Sequence, residues 1–331
     1  MSARTIRFLS SKEVIAALPM EAAVKAMKRA FILLSAGEAV VPPRVSIETA
    51  RKDGSMLFMP SYLPCENSMG VKLLSLFPGN AARGLPYIQS LMVLYDGNTG
   101  SPLAVMDGGS LTAIRTGAAA GAATAALARE ESSSVAIFGA GVQGRTQLEA
   151  VCVARRILRA IIYDPDRAAA QRFAAEMSAK TGIGVAVAAT PAEALREADI
   201  VCTVTVSREP VFRDHELKRG AHVNAMGSFK LDAREIPGGT VARSRIFVDH
   251  RESALSEAGD LVIPMNEALV GGAEAWTELG ETLAGKKPGR LSEDEVTLFK
   301  SVGLGIQDLV AAAAVLECAE REGLGTLLEW G

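Results

Sequence analysis

Apolar residues change their period along this 331-residue chain. Near the start, Val24, Met27, Phe31 and Leu34 recur at three- and four-residue steps between Pro19 and Gly37. That spacing predicts an amphipathic helix over Pro19–Ala36. The apolar runs then shorten, at Arg44–Glu48, Ser55–Pro60, Gly70–Phe77, Ile88–Tyr95 and Leu103–Asp107, which reads as strands. Asp96-Gly97-Asn98-Thr99-Gly100, between the last two, is a hairpin signal, so this third predicts a largely antiparallel sheet with a helix. Ser110–Ala128 is rich in Ala and Gly and predicts a closely packing helix with Ser110 as its N-cap. From Ser132 onward, helical stretches alternate with apolar runs at Val135–Phe138, Ala160–Tyr163, Gly184–Ala188, Ile200–Val204, His222–Met226 and Ile246–Asp249. Such alternation predicts a parallel, doubly wound sheet. A last helix is expected around Gly303–Glu322. The fold class is therefore α/β: a Rossmann-type parallel sheet plus an α+β part of mainly antiparallel strands.

The densest chemical signal lies in Ser132–Asp166. A strand-like run leads into Gly139-Ala140-Gly141-Val142-Gln143-Gly144, a helical segment follows, and a second strand-like run ends on Asp164. Glycines in this spacing are common by chance. A strand before, a helix after and an acid twenty residues past the last glycine make a dinucleotide site the better reading. Gly139 would allow the tight turn, Gly141 the approach of a pyrophosphate to the helix N-terminus, and Gly144 the packing of helix on sheet. Asp164 would accept from a ribose 2′-OH and repel a 2′-phosphate, which favours NAD(H), with NADP(H) as the alternative. Open α/β sheets bind ligands beyond the carboxyl ends of their strands. The loops holding Thr203 and Thr205, and Met226 and Gly227, are site candidates on that ground.

Charge and cysteine content narrow the class. A net charge of −3 leaves no basic footprint for nucleic acid. Cys65, Cys152, Cys202 and Cys318 are scattered without metal-ligand spacing, so no metal is expected. The N-terminal stretch lacks the apolar core of a signal peptide, and Ala118–Ala128 is too short and weakly apolar to span a bilayer, which points to a cytoplasmic protein with no membrane partner. The histidines have no hydrolase context. Asp232 and Glu235 sit in a polar loop and are expected to face solvent or cap a helix.

If a nicotinamide cofactor binds, the chemistry is hydride transfer, and the chain must hold a substrate carbon and handle one proton. Arg44, Lys72 and Arg115 are the basic candidates for clamping a carboxylate. Lys72 lies in an apolar strand. Facing a partly apolar cavity it would have a lowered pKa and could exchange a proton near neutral pH; at a sheet edge it would merely snorkel. Arg115 reads equally as a site residue or as half of a surface ion pair.

Five ordered motifs carry a resemblance over nearly the full length to the ornithine cyclodeaminase/mu-crystallin family. They are Pro43-Arg44; Gly70-Val71-Lys72 with Phe77-Pro78-Gly79-Asn80; Leu111-Thr112-Ala113-Ile114-Arg115-Thr116-Gly117; Gly139–Gly144; and Phe299-Lys300-Ser301-Val302-Gly303. The resemblance implies a substrate-binding and dimerisation domain over 1–115, completed by a C-terminal helix at 307–331, and a Rossmann domain over 116–306. It implies a homodimer built through the N-terminal sheets. Arg44, Lys72 and Arg115 match the family's catalytic and carboxylate-binding positions. Thr112, Arg115, Val142, Gln143 and Asp164 match positions at the dinucleotide, and Met59 and Phe229 are expected beside the substrate.

One position departs from the cyclodeaminase pattern. Gly227-Ser228-Phe229-Lys230-Leu231-Asp232 places Phe229 where an aspartate handles the substrate amine. Loss of that carboxylate favours a simpler reaction, NAD(P)H-dependent reduction of a cyclic imino acid such as pyrroline-2-carboxylate or piperideine-2-carboxylate to the L-amino acid. Alanine dehydrogenase-type amination is the alternative, followed by cyclodeamination. In a different class stands a mu-crystallin-like, cofactor-dependent small-ligand binding protein.

Overall fold

A computed structural model describes residues 4–51 and 53–330. They form two compact units: one runs to Arg115 and resumes at Leu304, and the other is Thr116–Gly303.

The chain opens the first unit with β1 (Thr5–Leu9), α1 (Ser11–Ala17), α2 (Met20–Ser35), β2 (Val45–Glu48), β3 (Ser55–Leu63), β4 (Ser68–Leu76), β5 (Ile88–Asp96) and β6 (Pro102–Asp107). α3 (Gly108–Leu127) carries it across the border. Ser110 is not the N-cap expected of it. The helix starts two residues earlier, and the Asp107 carboxylate accepts from the Ser110 N–H at 2.8 Å, an anion at the positive end of the helix.

The second unit holds β7 (Ser134–Phe138), α4 (Val142–Ala154), β8 (Arg159–Tyr163), β9 (Gly184–Val187), β10 (Ile200–Thr203), β11 (His222–Ala225), β12 (Ser244–Val248), β13 (Thr277–Glu278) and β14 (Val296–Lys300). The chain then returns to the first unit through the helix Gly305–Glu322 and β15 (Thr326–Glu329). This corrects the expected helix at 307–331. Gly323 takes a φ of 68° and ends the helix, and Thr326–Glu329 pair as a strand antiparallel to β1.

The first unit's sheet runs β15-β1-β6-β5-β4-β3-β2, antiparallel except where β1 lies parallel to β6. Residues alternate across it. Leu57, Met59, Ser61 and Leu63 of β3 are buried on the face that packs against Gly305–Glu322, while their neighbours are less covered. The second unit's sheet is wholly parallel, in the order β13-β12-β14-β11-β10-β7-β8-β9. Its central strands are buried end to end, as a sheet covered on both faces requires. Strand order reverses between β7 and β10, which makes the carboxyl ends of those two strands the topological switch point. Among the described residues no helix is long and apolar enough to cross a membrane.

Candidate active site

The candidate residues fall into two groups, each gathered within one unit. Arg44, Met59, Lys72, Thr112 and Arg115 belong to the first; Gly139, Gly141, Val142, Gln143, Gly144, Asp164, Thr203, Thr205, Met226, Gly227 and Phe229 belong to the second.

In the first unit the strand period decides what Lys72 faces. Its cross-strand partners in β3 and β5 are Met59 and Met92, both buried, so the lysine stands on the covered face rather than at an edge and is only 3% exposed. Its ammonium meets Asp308 Oδ2 at 2.7 Å. Arg115, also buried, donates from Nε to Asp308 Oδ1 at 2.9 Å and from Nη1 to Gln307 Oε1 at 2.9 Å. Asp308 lies in the first turn of Gly305–Glu322, where the helix dipole favours a carboxylate.

Burial pulls the Lys72 ammonium down to about 8; the Asp308 charge opposes this, and Arg115 and Arg44 add to it. Burial by itself would raise the Asp308 carboxyl, but Arg115 and then Lys72 outweigh it and hold the group below the usual carboxylate range. Lys72 and Arg115 set two positive charges against the one on Asp308, so the cluster attracts an anion. The buried Gln307 Nε2, without a partner among the described residues, is a further donor for one.

Asp308 and Gln307 were not among the sequence candidates. A signal was present: an amide and an acid interrupt the first turn of an otherwise apolar, Ala-rich helix. Only the fold shows that they meet Lys72 and Arg115, far away in the chain.

In the second unit the glycine loop has the shape its spacing implies. Gly139 has a φ of 109°, and a Cβ there would stand 2.8 Å from the Val204 carbonyl oxygen. A Cβ on Gly144 would stand 2.2 Å from the Gly139 carbonyl oxygen, so helix and strand could not close with a side chain at that position. Gly141, by contrast, has open space on its Cβ side and forms the N-cap of α4 with no side chain capping the first turn. Val142 beside it is 65% exposed, and the buried Gln143 Oε1 has no partner among the described residues. Arg145, paired with Glu176, braces the loop by donating to the Ala140 and Gly141 carbonyls. An uncapped helix N-terminus behind an open glycine is a cradle for a pyrophosphate, and these residues fit a dinucleotide. Asp164, just past β8, accepts from the Ala140 N–H at 2.8 Å and the Asp166 N–H at 2.9 Å, which fixes its carboxylate beside the loop.

Thr203 ends β10, Thr205 follows it, and Met226 and Gly227 follow β11. These two loops meet on Glu235, and here the sequence expectation is corrected. Asp232 is exposed and pairs with Arg208, but Glu235 is fully buried, its burial bought by hydrogen bonds from both loops. Burial, and then Asp260, push its carboxyl up. Phe229 is 38% exposed and puts an apolar ring in the loop after β11. Among the described residues no cluster of His, Cys, Asp and Glu could hold a metal.

The profile of the ornithine cyclodeaminase/mu-crystallin family matches residues 5–323. A Delta(1)-pyrroline-2-carboxylate reductase of Bacillus cereus is 37% identical over 297 residues, 89% of this chain and 91% of that protein. Among solved structures, the Delta(1)-pyrroline-2-carboxylate reductase of Thermococcus litoralis, in complex with NADH and L-proline, superposes with a TM-score of 0.93. It is 42% identical, covering 97% of this chain and 99% of that one. An archaeal alanine dehydrogenase dimer with bound NAD follows at a TM-score of 0.91 and 34% identity, covering 99% and 100%.

Proposed function

Because this chain belongs to the ornithine cyclodeaminase/mu-crystallin family, we propose that it is an NADH-dependent reductase of a small cyclic imino acid, pyrroline-2-carboxylate or piperideine-2-carboxylate, yielding the L-amino acid. The observation that carries the reading is the buried Lys72–Asp308–Arg115 cluster, which joins an anion-binding charge to a proton donor whose pKa is about 8.

When bound, the nicotinamide supplies the hydride that reaches the imine carbon. Arg44 and Arg115 hold the substrate carboxylate; the Arg115 Nε and Nη1 are committed to Asp308 and Gln307, which leaves Nη2 to meet a carboxylate oxygen. Lys72, charged below pH about 8, delivers one proton to the imine nitrogen and regains it from solvent. Asp308 keeps that ammonium charged against its burial. Met59, the cross-strand neighbour of Lys72, offers apolar surface to the ring, and Phe229 puts an apolar side chain in the loop after β11. Phe229 also supplies no carboxylate for expelling ammonia, which is why reduction is preferred to cyclodeamination.

Gly139, Gly141, Val142, Gln143, Gly144, Thr203, Thr205, Met226 and Gly227 are assigned to the dinucleotide. Asp164 sets the preference for NADH over NADPH. We assign residues 1–115 with the C-terminal segment to substrate binding and dimerisation, and the second unit to the dinucleotide. The dimer rests on the uncovered face of the first sheet, where Phe8, Ile47, Met56, Met69, Leu91 and Leu103 are all exposed. The dimer found for the alanine dehydrogenase is consistent with it. Four free thiols fit a cytoplasmic location.

The test is a panel of cyclic imino acids of both ring sizes, keto acids with ammonia, and ornithine, followed by NADH absorbance and ammonia release. Turnover of the imines without ammonia release is expected. The similarity to alanine dehydrogenase supports one second reading, reductive amination of a keto acid, and faster turnover of pyruvate with ammonia would establish it instead.

A further inference from the structure

Both oxygens of the Glu235 carboxylate are taken by donors from two different loops. Oε1 accepts from the Thr205 N–H at 2.6 Å and the Thr205 hydroxyl at 2.7 Å. Oε2 accepts from the Thr203 hydroxyl at 3.0 Å and the Gly227 N–H at 2.9 Å. The approach to Gly227 is close enough that a Cβ there would lie 2.4 Å from Oε2, so the glycine after β11 makes room for this carboxylate.

The network extends both forwards and backwards. Forwards, Thr205 packs on the glycine loop: a Cβ at Gly139 would reach the Val204 carbonyl oxygen and, at 3.4 Å, Thr205 Cγ2. Backwards, the N–H groups of Glu235 and Ile236 donate to Asp260 Oδ1 at 2.6 and 3.0 Å. Asp260 Oδ2 in turn pairs with the buried Lys300 ammonium at 2.8 Å. Lys300 also donates to the Ser228 carbonyl, returning the network to the second loop. A fully buried, charged network of this kind is costly unless every member is satisfied, and it holds its members in one geometry.

Its location gives it a function. β8, with Asp164, lies on one side of the switch point, and β10 and β11 lie on the other. A dinucleotide laid across such a crevice places its adenosine half toward β8 and its nicotinamide half toward β10 and β11. We propose that Glu235 is the positioning residue of the nicotinamide half-site, clamping the loops after β10 and β11 against each other and against the glycine loop; the proposal rests on the dinucleotide reading given above. Glu235 is wholly buried, so it acts through Thr205 and Gly227 rather than by touching the cofactor.

Titration calorimetry of the full chain with NADH and with AMP, which carries only the adenosine half, tests the assignment. Glu235→Gln sets an amide NH2 against two donors, one of them a backbone N–H that cannot turn away, so NADH should bind about tenfold more weakly. AMP affinity should stay within about twofold of the wild type, because Asp164 and the N-terminus of α4 are untouched. Unchanged NADH affinity, or an equal loss for AMP, overturns the proposal. Should Glu235→Gln fail to fold, Glu235→Asp draws the carboxylate back by one methylene and away from the donors of one loop; a loss of about threefold for NADH alone supports the proposal, and no loss overturns it. Wild-type protein that binds neither NADH nor AMP overturns the dinucleotide reading itself, a result distinct from all of these.

Discussion

Asp308→Asn removes one charge from the buried cluster while leaving its shape. At an effective dielectric of about 20, the 2.7 Å contact between Lys72 and Asp308 carries about 6 kcal/mol. Lys72 already sits at about 8 with Asp308 charged, so losing even half of that attraction takes it well below neutrality. The lysine is then uncharged at pH 7 and has no proton to give. The loss of a positioned general acid corresponds to a drop of about 10²- to 10⁴-fold in kcat/KM for imine reduction.

The pH profile reports the same physics. In the wild type kcat/KM should fall as pH rises through about 8, and in Asp308→Asn that limb should move below about pH 7. Stability follows with a definite sign. The folded pKa of Lys72 lies below the ordinary lysine value of 10.5, so between about 8 and 10.5 the unfolded chain holds more protons and wild-type stability rises with pH. In the variant this window extends to lower pH. Arg115, which cannot deprotonate, keeps Gln307 and the Asn oxygen as acceptors but loses the opposing charge, at a cost of about 3–5 kcal/mol.

The assays are NADH absorbance between about pH 5 and pH 10 and urea unfolding at matched pH. Replacing Lys72 as well, in Lys72→Met/Asp308→Asn, should recover part of the lost urea midpoint, because it removes a buried amine that has to give up its proton on folding. An Asp308→Asn enzyme with the wild-type alkaline limb and a rate within about threefold of wild type would refute the reasoning.

Three other outcomes are expected. Asp164→Ser removes the charge that repels a 2′-phosphate and should raise the NADPH-to-NADH ratio of kcat/KM by about tenfold; an unchanged ratio would take cofactor choice away from this residue. Gly139→Ala sets a Cβ 2.8 Å from the Val204 carbonyl oxygen at a φ of 109°, and should cost about 1–3 kcal/mol in urea unfolding along with most NADH affinity. Leu91→Lys puts a charge in the middle of the uncovered sheet face, where Leu91 is 44% exposed, and should shift the mass seen in light scattering from dimer to monomer; a variant that stays dimeric would place the interface elsewhere.

Local physics made much of this protein readable from its residues. The period-two strands from Arg44 to Asp107, the Asp96–Gly100 hairpin and the strand–helix alternation after Ser132 are nearest-neighbour patterns, and they appear where their spacing puts them. The glycine loop is legible for the same reason: turn, cradle and packing contact lie within six residues. The ends of the first sheet were not legible. β1 and β15 are short, and neither has a pattern that distinguishes it from loop until β1 docks on β6 and the two pair across more than 300 residues.

The charged residues depended most on distance along the chain. Lys72 is readable as a lysine in an apolar strand, but its pKa is lowered by burial, beside Met59 and Met92, and only partly restored by Asp308, 236 positions later. Glu235 looks like a solvated loop residue among Lys230, Asp232 and Arg234, and becomes a buried clamp because Asp260 and two strand ends close around it. Spacing along the chain determines which backbone forms. Whether a charge is hydrated or buried, and which charge it pairs with, is decided only when distant segments exclude water from it.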